Sequence, residues 1–203
     1  MKRLISFILA TSLLCLANSV PAAEAPDALV KSVVEDVLTI IRDNKDPQTL
    51  RTLAEQKVLP HFDFRQMTQM AAGQVWRQAS ESQKQSLENG FRSLIVNTYT
   101  TALSRTSSSS KTLEVKPLPS SAAQGEALVK TLVKESGKPP VSIDYRMANA
   151  GGTWKVVDVT IENISLVTNY RSTFASEVAK SGIDGLIKSL EEKSRSPSRG
   201  GMG

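Results

Sequence analysis

The sequence has very little cysteine and histidine, the two residue types that most often bind metals or take part in nucleophilic catalysis. Its 203 residues include one cysteine and one histidine. The cysteine, Cys15, falls in an N-terminal segment that we predict is removed after export, which leaves the mature chain without a thiol. Disulfides, thiolate metal sites and a cysteine nucleophile are then excluded. A histidine-rich metal site is excluded as well, because only His61 is available.

No short catalytic or nucleotide-binding signature compensates for these absences. The chain has no GxSxG, P-loop, HExxH, CxxC or dinucleotide-binding glycine pattern. His61 and Asp63 could form a base and its orienting acid, but Asp63 also stands where a helix N-cap would stand. We favour the N-cap, and we expect no catalytic residue, no metal and no cofactor.

The N-terminus has the three parts of a secretory signal peptide. Lys2 and Arg3 are followed by an apolar run, and then Val20-Pro21-Ala22 offers the small residues that a signal peptidase needs. The apolar run is too short to span a bilayer with ease, although an uncleaved membrane anchor is the alternative. We predict a cleaved signal peptide over residues 1–22.

Basic and acidic residues are nearly balanced. The chain has 25 lysines and arginines against 20 aspartates and glutamates, and loss of Lys2 and Arg3 leaves 23 against 20, or +3. Nucleic-acid binding needs a concentrated basic patch, so we expect no nucleic-acid partner. Residues 23–193 suffice for one domain with its own core. The polar tail 194–203, rich in serine, glycine and proline, is predicted to be disordered.

Apolar residues recur at helical spacing through the N-terminal half of the domain. After a first amphipathic helix, Asp46-Pro47 and Asp63 are placed to begin a second and a third. Ser80 and Gln83 form a capping box, in which each side chain bonds to the backbone of the other, for a long helix over about residues 81–104. This half is therefore predicted to be helical.

The next part of the sequence changes to strand patterns. We predict strands around Leu113 and over residues 126–134, 141–147 and 154–161, with Gly151-Gly152 turning the third into the fourth. Segment 126–134 also fits helical spacing, but the turns on either side of it favour a strand. In the fourth strand, alternation predicts one shared face for every second residue.

An i, i+4 apolar stripe then predicts a C-terminal helix that ends at Gly182, with a last helix beginning near Asp184. The order of elements is helices, a four-stranded antiparallel meander, and helices again. It predicts the α+β class, with N- and C-terminal helices packed on a curved sheet. Such a layout can enclose an apolar pocket between the sheet and the helices.

Three blocks of the sequence carry a resemblance to a known family. They are PHFDFRQMTQMAAGQVWRQAS at 60–80, FRSLIVNTYTTAL at 91–103, and the strand–turn–strand–helix segment at 141–174. In this order they resemble the MlaC family, also called the toluene-tolerance auxiliary proteins, and the similarity runs from about Leu29 to Lys193.

The resemblance implies a function that composition and residue spacing do not indicate by themselves. It implies a periplasmic phospholipid carrier of Gram-negative bacteria, and not an enzyme. Such a carrier would exchange lipid with an inner-membrane ABC-transporter complex and with an outer-membrane lipoprotein–porin complex, and so maintain the lipid asymmetry of the outer membrane. We expect the chain to be a monomer whose only small-molecule ligand is the phospholipid cargo.

Helix and strand phase indicate which side chains face the predicted pocket. The predicted acyl-chain contacts are Val37, Ile41, Met67, Met70, Ile95, Tyr99, Tyr145, Met147, Val157, Val159, Tyr170 and Phe174. We assign Arg146 and Arg171 to the headgroup phosphate, because each follows a tyrosine of this set.

Two other functions fit the same residues. One is a periplasmic enzyme with a cone-shaped α+β pocket, in which Asp144 or Asp158 acts as a proton-abstracting base. The other is an interaction module for envelope assembly that has no pocket. The sequence leaves all three open, because a cavity wall and a filled core have the same apolar periodicity.

Overall fold

The computed structural model describes residues 24–104, 111–116 and 125–195. The predicted signal peptide and most of the predicted disordered tail lie outside these residues. Within them the helices are α1 (Pro26–Asp43), α2 (Pro47–Lys57), α3 (Phe64–Ala72), α4 (Gln74–Gln78), α5 (Glu81–Ser104) and α6 (Leu166–Arg195). A turn of 3₁₀ helix at Leu59–His61 links α2 to α3.

The predicted helix starts are confirmed in atomic detail. Asp46 accepts a hydrogen bond from the backbone N–H of Thr49 at 2.7 Å, and Asp63 accepts one from the backbone N–H of Gln66 at 2.8 Å. Both carboxylates satisfy amide groups that have no partner inside the helix. At the start of α5, Ser80 and Gln83 make the two reciprocal bonds of the capping box.

The strands form an antiparallel meander in the order β1-β2-β3-β4-β5. They are β1 (Lys111–Val115), β2 (Glu126–Glu135), β3 (Val141–Ala150), β4 (Thr153–Ile161) and β5 (Ile164–Ser165). The four longer strands confirm the predicted sheet, including the strand assignment of segment 126–134.

The prediction of four strands was one short, because the chain turns back on itself directly after β4. Glu162 and Asn163 both adopt positive φ, at 47° and 68°. Two consecutive residues of this kind make the tight turn that suits a hairpin. Ile164 and Ser165 therefore pair with the end of β4 before α6 begins.

A β-bulge interrupts the pairing of β3 with β4 and changes which side chains face inward. Tyr145 lies opposite Val159, but Met147 lies opposite Val156, so Val157 is the extra residue in β4. An extra residue reverses the alternation of side chains beyond it. The predicted common face of Val157 with Val159 is therefore wrong, and Val156 shares that face instead.

The buried apolar residues fall mainly into two clusters. In the helical core, α3, α4, α5 and α6 pack on one another around Met67, Leu87 and Phe91. In the second cluster, α1 packs against the inner face of the sheet, which includes Val129 and Met147. The second cluster surrounds the candidate site.

The predicted ends of the C-terminal helices need a small correction. α6 is interrupted at Gly182, where φ is 71°. A glycine with positive φ is typical of a helix end, and this is the residue at which the first C-terminal helix was predicted to end. The helical segment beyond it continues through Ser194 to Arg195, so the polar tail begins later than predicted. α4 was not predicted, because five residues after Gly73 are too few to show a helical period.

Candidate functional site

A cavity of about 260 Å³ lies between the sheet, α1, α2 and α5. The wall from α1 consists of Leu29, Val30, Val33, Val34, Val37, Ile40 and Ile41. The wall from the sheet consists of Ile143, Tyr145, Met147, Val156, Val159 and Ile161. α5 contributes Ile95, Val96, Tyr99 and Thr100. The remaining residues are Leu50, Ala54, Val58, Leu59, His61, Phe62, Phe64 and Leu166.

The walls follow from the local periodicity of the chain. Apolar residues of α1 recur every three or four positions, which places them on one face of the helix. In β3, Ile143, Tyr145 and Met147 alternate with polar residues and so point to the same side of the sheet. The cavity is thus a gap between one helix face and one sheet face.

The lining carries almost no polar chemistry. Among the described residues, no lysine, arginine, aspartate or glutamate contributes to it. The hydroxyl of Thr100 donates to the backbone carbonyl of Val96 at 2.7 Å, so it is already satisfied. Burial raises the pKa of Tyr99 to about 12 and also raises the pKa of Tyr145, so both phenols are neutral near pH 7. Such a wall, with His61 as its one histidine among the described residues, suits an apolar ligand.

The size of the cavity sets what it can hold. An apolar cavity of roughly 150 Å³ in another protein stays dry and binds benzene. The cavity here, at about 260 Å³, is larger and has walls of the same chemistry. Each methylene moved from water into such a space contributes about 0.8 kcal/mol. A flexible hydrocarbon chain would therefore bind favourably.

The structure places some of the predicted acyl-chain contacts on the cavity wall and others away from it. On the wall are Val37, Ile41, Ile95, Tyr99, Tyr145, Met147 and Val159. Away from it are Met67, Met70, Val157, Tyr170 and Phe174.

The misplaced residues have two physical explanations. Met67 and Phe174 are buried in the helical core, and Met70 and Tyr170 pack against it. These helices pack on one another, and helical spacing alone cannot show whether a stripe faces a helix or a cavity. Val157 is turned away by the bulge in β4.

The two arginines assigned to the headgroup phosphate also do not reach the cavity. Arg171 donates through Nε and Nη2 to the backbone carbonyl of Met70, at 3.0 and 2.8 Å. This carbonyl lies in the last turn of α3, where carbonyls lack helical partners. Arg146 lies 3.7 Å from a carboxylate oxygen of Asp158 and 3.2 Å from the sulfur of Met70. Both arginines thus hold α3 in place.

Several wall residues were missed by sequence reasoning. The α1 stripe was visible in the sequence, and its residues Leu29, Val30 and Val33 could have been chosen with Val37. Phe62 had no such signal. It lines the cavity because its backbone forms a bridge with Val156 of β4, and the sequence does not show this long-range pairing.

Asp144 and Asp158, the two acids considered as the base of an enzyme, do not line the cavity. Asp158 accepts hydrogen bonds from the Ser165 hydroxyl at 2.7 Å and from the Val167 backbone N–H at 3.2 Å. Its carboxylate caps the start of α6. Asp144 lies 3.9 Å from the Lys130 ammonium, and neither acid contributes to the lining. Within the described residues, the cavity wall therefore carries no carboxylate.

The described residues form neither a metal-binding cluster nor a membrane-spanning helix. No group of three or more histidine, cysteine, aspartate or glutamate side chains within residues 24–104, 111–116 and 125–195 is arranged to hold a metal ion. In the same part of the chain, every helix is too short or too polar to cross a bilayer.

Comparisons with known proteins agree with the geometry. A model of the MlaC protein family matches residues 31–192. The intermembrane phospholipid transport system binding protein MlaC of Haemophilus influenzae is 22% identical over 184 residues, which cover 87% of this chain and 85% of that protein. The fold is similar to that of a phospholipid-binding protein from Ralstonia solanacearum solved in complex with a phospholipid. That match has a TM-score of 0.76 and 34% identity, and covers 83% of this chain and 96% of the other.

Proposed function

The chain belongs to the MlaC family, and we propose that it is a periplasmic carrier that holds phospholipid acyl chains in the cavity and shuttles lipid between the two membranes. The observation that supports this most directly is the uncharged cavity between α1 and the sheet. The similar Ralstonia protein has a phospholipid bound, and the similar Haemophilus protein is named as part of a phospholipid transport system.

The energetics of the cargo require an enclosed apolar site. At about 0.8 kcal/mol per methylene, two sixteen-carbon chains need on the order of 25 kcal/mol of shelter from water. An exposed groove would leave part of each chain in contact with water. A cavity of about 260 Å³ with walls from a helix and a sheet can surround part of these chains, while the charged headgroup stays outside the apolar lining.

The proposed partners follow from the family and from the predicted export. We propose that the carrier exchanges lipid with an inner-membrane ABC-transporter complex and an outer-membrane lipoprotein–porin complex, and that this maintains outer-membrane lipid asymmetry. ATP is absent from the periplasm, so loading and unloading depend on partner contacts that favour a more open form of the carrier.

The acyl-chain contacts proposed for the carrier are the seven predicted residues on the cavity wall. Val37 and Ile41 come from α1, Ile95 and Tyr99 come from α5, and the sheet supplies Tyr145, Met147 and Val159. Each of these side chains presents apolar surface to the same space.

Lipid analysis of the purified, untagged protein tests the function. Organic extraction and mass spectrometry should find phospholipid in stoichiometric amount. A small polar metabolite in its place would favour the enzyme, and an empty protein would favour the interaction module. Because the charge would face the acyl chains, Val159→Asp should remove the lipid. Leu128→Asp is the matched control, since Leu128 is 44% exposed.

A second variant separates loss of lipid from loss of fold. Val37→Trp adds apolar volume to the cavity without burying a charge, so the variant should fold and bind less lipid. Circular dichroism and urea unfolding check the fold of each variant. Folded Val159→Asp and Val37→Trp proteins with the lipid content of the parent would refute the assignment of this cavity.

A further inference from the structure

A second hollow lies directly beside the apolar cavity and differs from it in charge. It is an open cleft of about 430 Å³ between the α2–α3 connection, α5 and the β3–β4 hairpin. Leu59, Phe62 and Phe64 line both hollows, so the cleft meets the cavity at these side chains. If the polar end of a ligand extends out of the cavity past these three side chains, it enters the cleft.

The lining of the cleft has as many basic as acidic side chains. The basic residues are Arg65, Arg92 and Lys155, and the acidic residues are Glu55, Asp63 and Glu88. In the part of the chain that the structure describes, no lysine, arginine, aspartate or glutamate lines the apolar cavity. A molecule with a long apolar part and a charged end thus finds the two environments that it needs side by side.

Some of these charges are already used within the protein. Arg65 bonds to Glu81 at 3.0 Å and lies 3.8 Å from Glu88. Asp63 caps α3, and Glu55 pairs with an arginine of its own helix at 3.1 Å. Glu88 has the longest of these contacts, so its carboxylate retains the most capacity to accept a further donor.

Two basic side chains of the cleft have unused donors. The guanidinium of Arg92 lies 5.9 Å from the ring centroid of Phe64 and, among the described residues, pairs with no carboxylate. Lys155 donates to the backbone carbonyl of Pro60, a neutral acceptor, and it too has no carboxylate partner in the described part of the chain. Arginine has five N–H donors and lysine three, so both can bind an anion as well.

We infer that the cleft binds the zwitterionic headgroup of the lipid whose chains occupy the cavity, with the phosphate on Arg92 and Lys155 and the ammonium at Glu88. The inference rests on the proposed carrier function. Arginine and lysine are the usual partners of phosphate, and a carboxylate is the usual partner of an ammonium. An anionic headgroup without an ammonium would place its net negative charge beside Glu88 with no compensating contact, so a phosphoethanolamine headgroup is preferred to a phosphoglycerol one.

Lipid loading from mixed vesicles tests this assignment. Lipid-stripped protein is incubated with vesicles that contain equal amounts of phosphatidylethanolamine and phosphatidylglycerol, reisolated, and analysed by mass spectrometry. The parent protein should take up more phosphatidylethanolamine. An Arg92→Gln/Lys155→Gln double variant should retain about tenfold less phospholipid, as expected for two exposed charge contacts.

Matched variants separate the headgroup contacts from general effects of charge. Glu88→Gln should lose the preference between the two headgroups, because the ammonium loses its carboxylate partner. Arg77→Gln/Lys180→Gln removes two exposed positive charges outside the cleft and should change neither quantity. High salt should weaken retention in the parent protein but not in the Arg92→Gln/Lys155→Gln variant, because only the parent has the two cations.

Three results would overturn the inference, and each can be told apart from failure of the carrier function. Unchanged lipid content and composition in the Arg92→Gln/Lys155→Gln variant would remove the headgroup site while the carrier function stands. Inorganic phosphate that stabilises the lipid-loaded protein through Arg92 and Lys155 would show a free-phosphate site instead. Equal uptake of both lipids by the parent protein would exclude the role of Glu88. Absence of lipid from every protein, including the parent, would count against the carrier function itself.

Discussion

Replacing Val34 by phenylalanine should stabilise the lipid-free protein and weaken lipid binding. Val34 is buried on α1, and its side chain lines the cavity. A phenyl ring at this position would occupy part of the space proposed for the acyl chains. Val167→Phe is the matched control, because Val167 is also helical and buried but belongs to the helical core, away from the cavity.

The two substitutions should change stability in opposite directions. A cavity of about 260 Å³ can accept a ring, and the apolar area that the ring buries should add about 1–2 kcal/mol to the free energy of unfolding. Valine and phenylalanine have similar helix propensities, so that contribution cancels. In the helical core, the same ring must displace packed neighbours, which costs about 1–3 kcal/mol.

Urea unfolding of lipid-stripped and lipid-loaded protein measures both effects. Lipid that binds the native state raises the free energy of unfolding by RT ln(1 + L/Kd), where L is the free lipid concentration. A tenfold loss of affinity in Val34→Phe would remove about 1.4 kcal/mol of that stabilisation. If Val34→Phe destabilises the stripped protein as much as Val167→Phe does, the space beside α1 is not empty and the reasoning fails.

Three further changes test other parts of the structure. Gly90→Ala should lower the free energy of unfolding by up to about 2 kcal/mol in urea denaturation. The added Cβ would lie 2.9 Å from the Cβ of Leu190, and this close contact outweighs the gain of about 1 kcal/mol in helix propensity. A net gain in stability would show that α5 and α6 are less close. Burial raises the pKa of Tyr99 from 10.0 to about 12, so its contribution to stability is complete below pH 10 and falls as the pH approaches 12. Tyr99→Phe should therefore unfold at a higher pH than the parent protein when alkali is added. Identical plots of stability against pH would contradict this. Asp158→Ala should cost about 1–3 kcal/mol in thermal unfolding, because the Val167 N–H loses its cap, and a neutral effect would contradict the capping role.

The features that could be predicted from the sequence are those fixed by near neighbours in the chain. The helix caps at Asp46 and Asp63 depend on contacts three residues apart, and the sequence shows them directly. The alternation in β3 likewise reveals that Tyr145 and Met147 share a face. These local rules were sufficient for the α+β class and for most of the sheet.

The features that could not be predicted depend on contacts between distant segments. Val156 and Val157 are both apolar, so nothing in the sequence shows which of them the bulge turns inward. Met67 and Phe174 have the same spacing as cavity residues, yet they fill a core between helices. Phe62 reaches the cavity only because its backbone meets β4. Sequence reasoning found the apolar surfaces but could not assign each one to a core or to the cavity.

The two main walls of the cavity lie far apart along the chain, and this has a consequence for folding. α1 spans Pro26–Asp43, whereas β4 spans Thr153–Ile161. Helices and hairpins form quickly from local contacts, but joining distant segments requires closure of a long loop. The apolar stripe of α1 should therefore stay uncovered until the sheet is built. During that interval the folding chain would be most prone to aggregation and most in need of a chaperone.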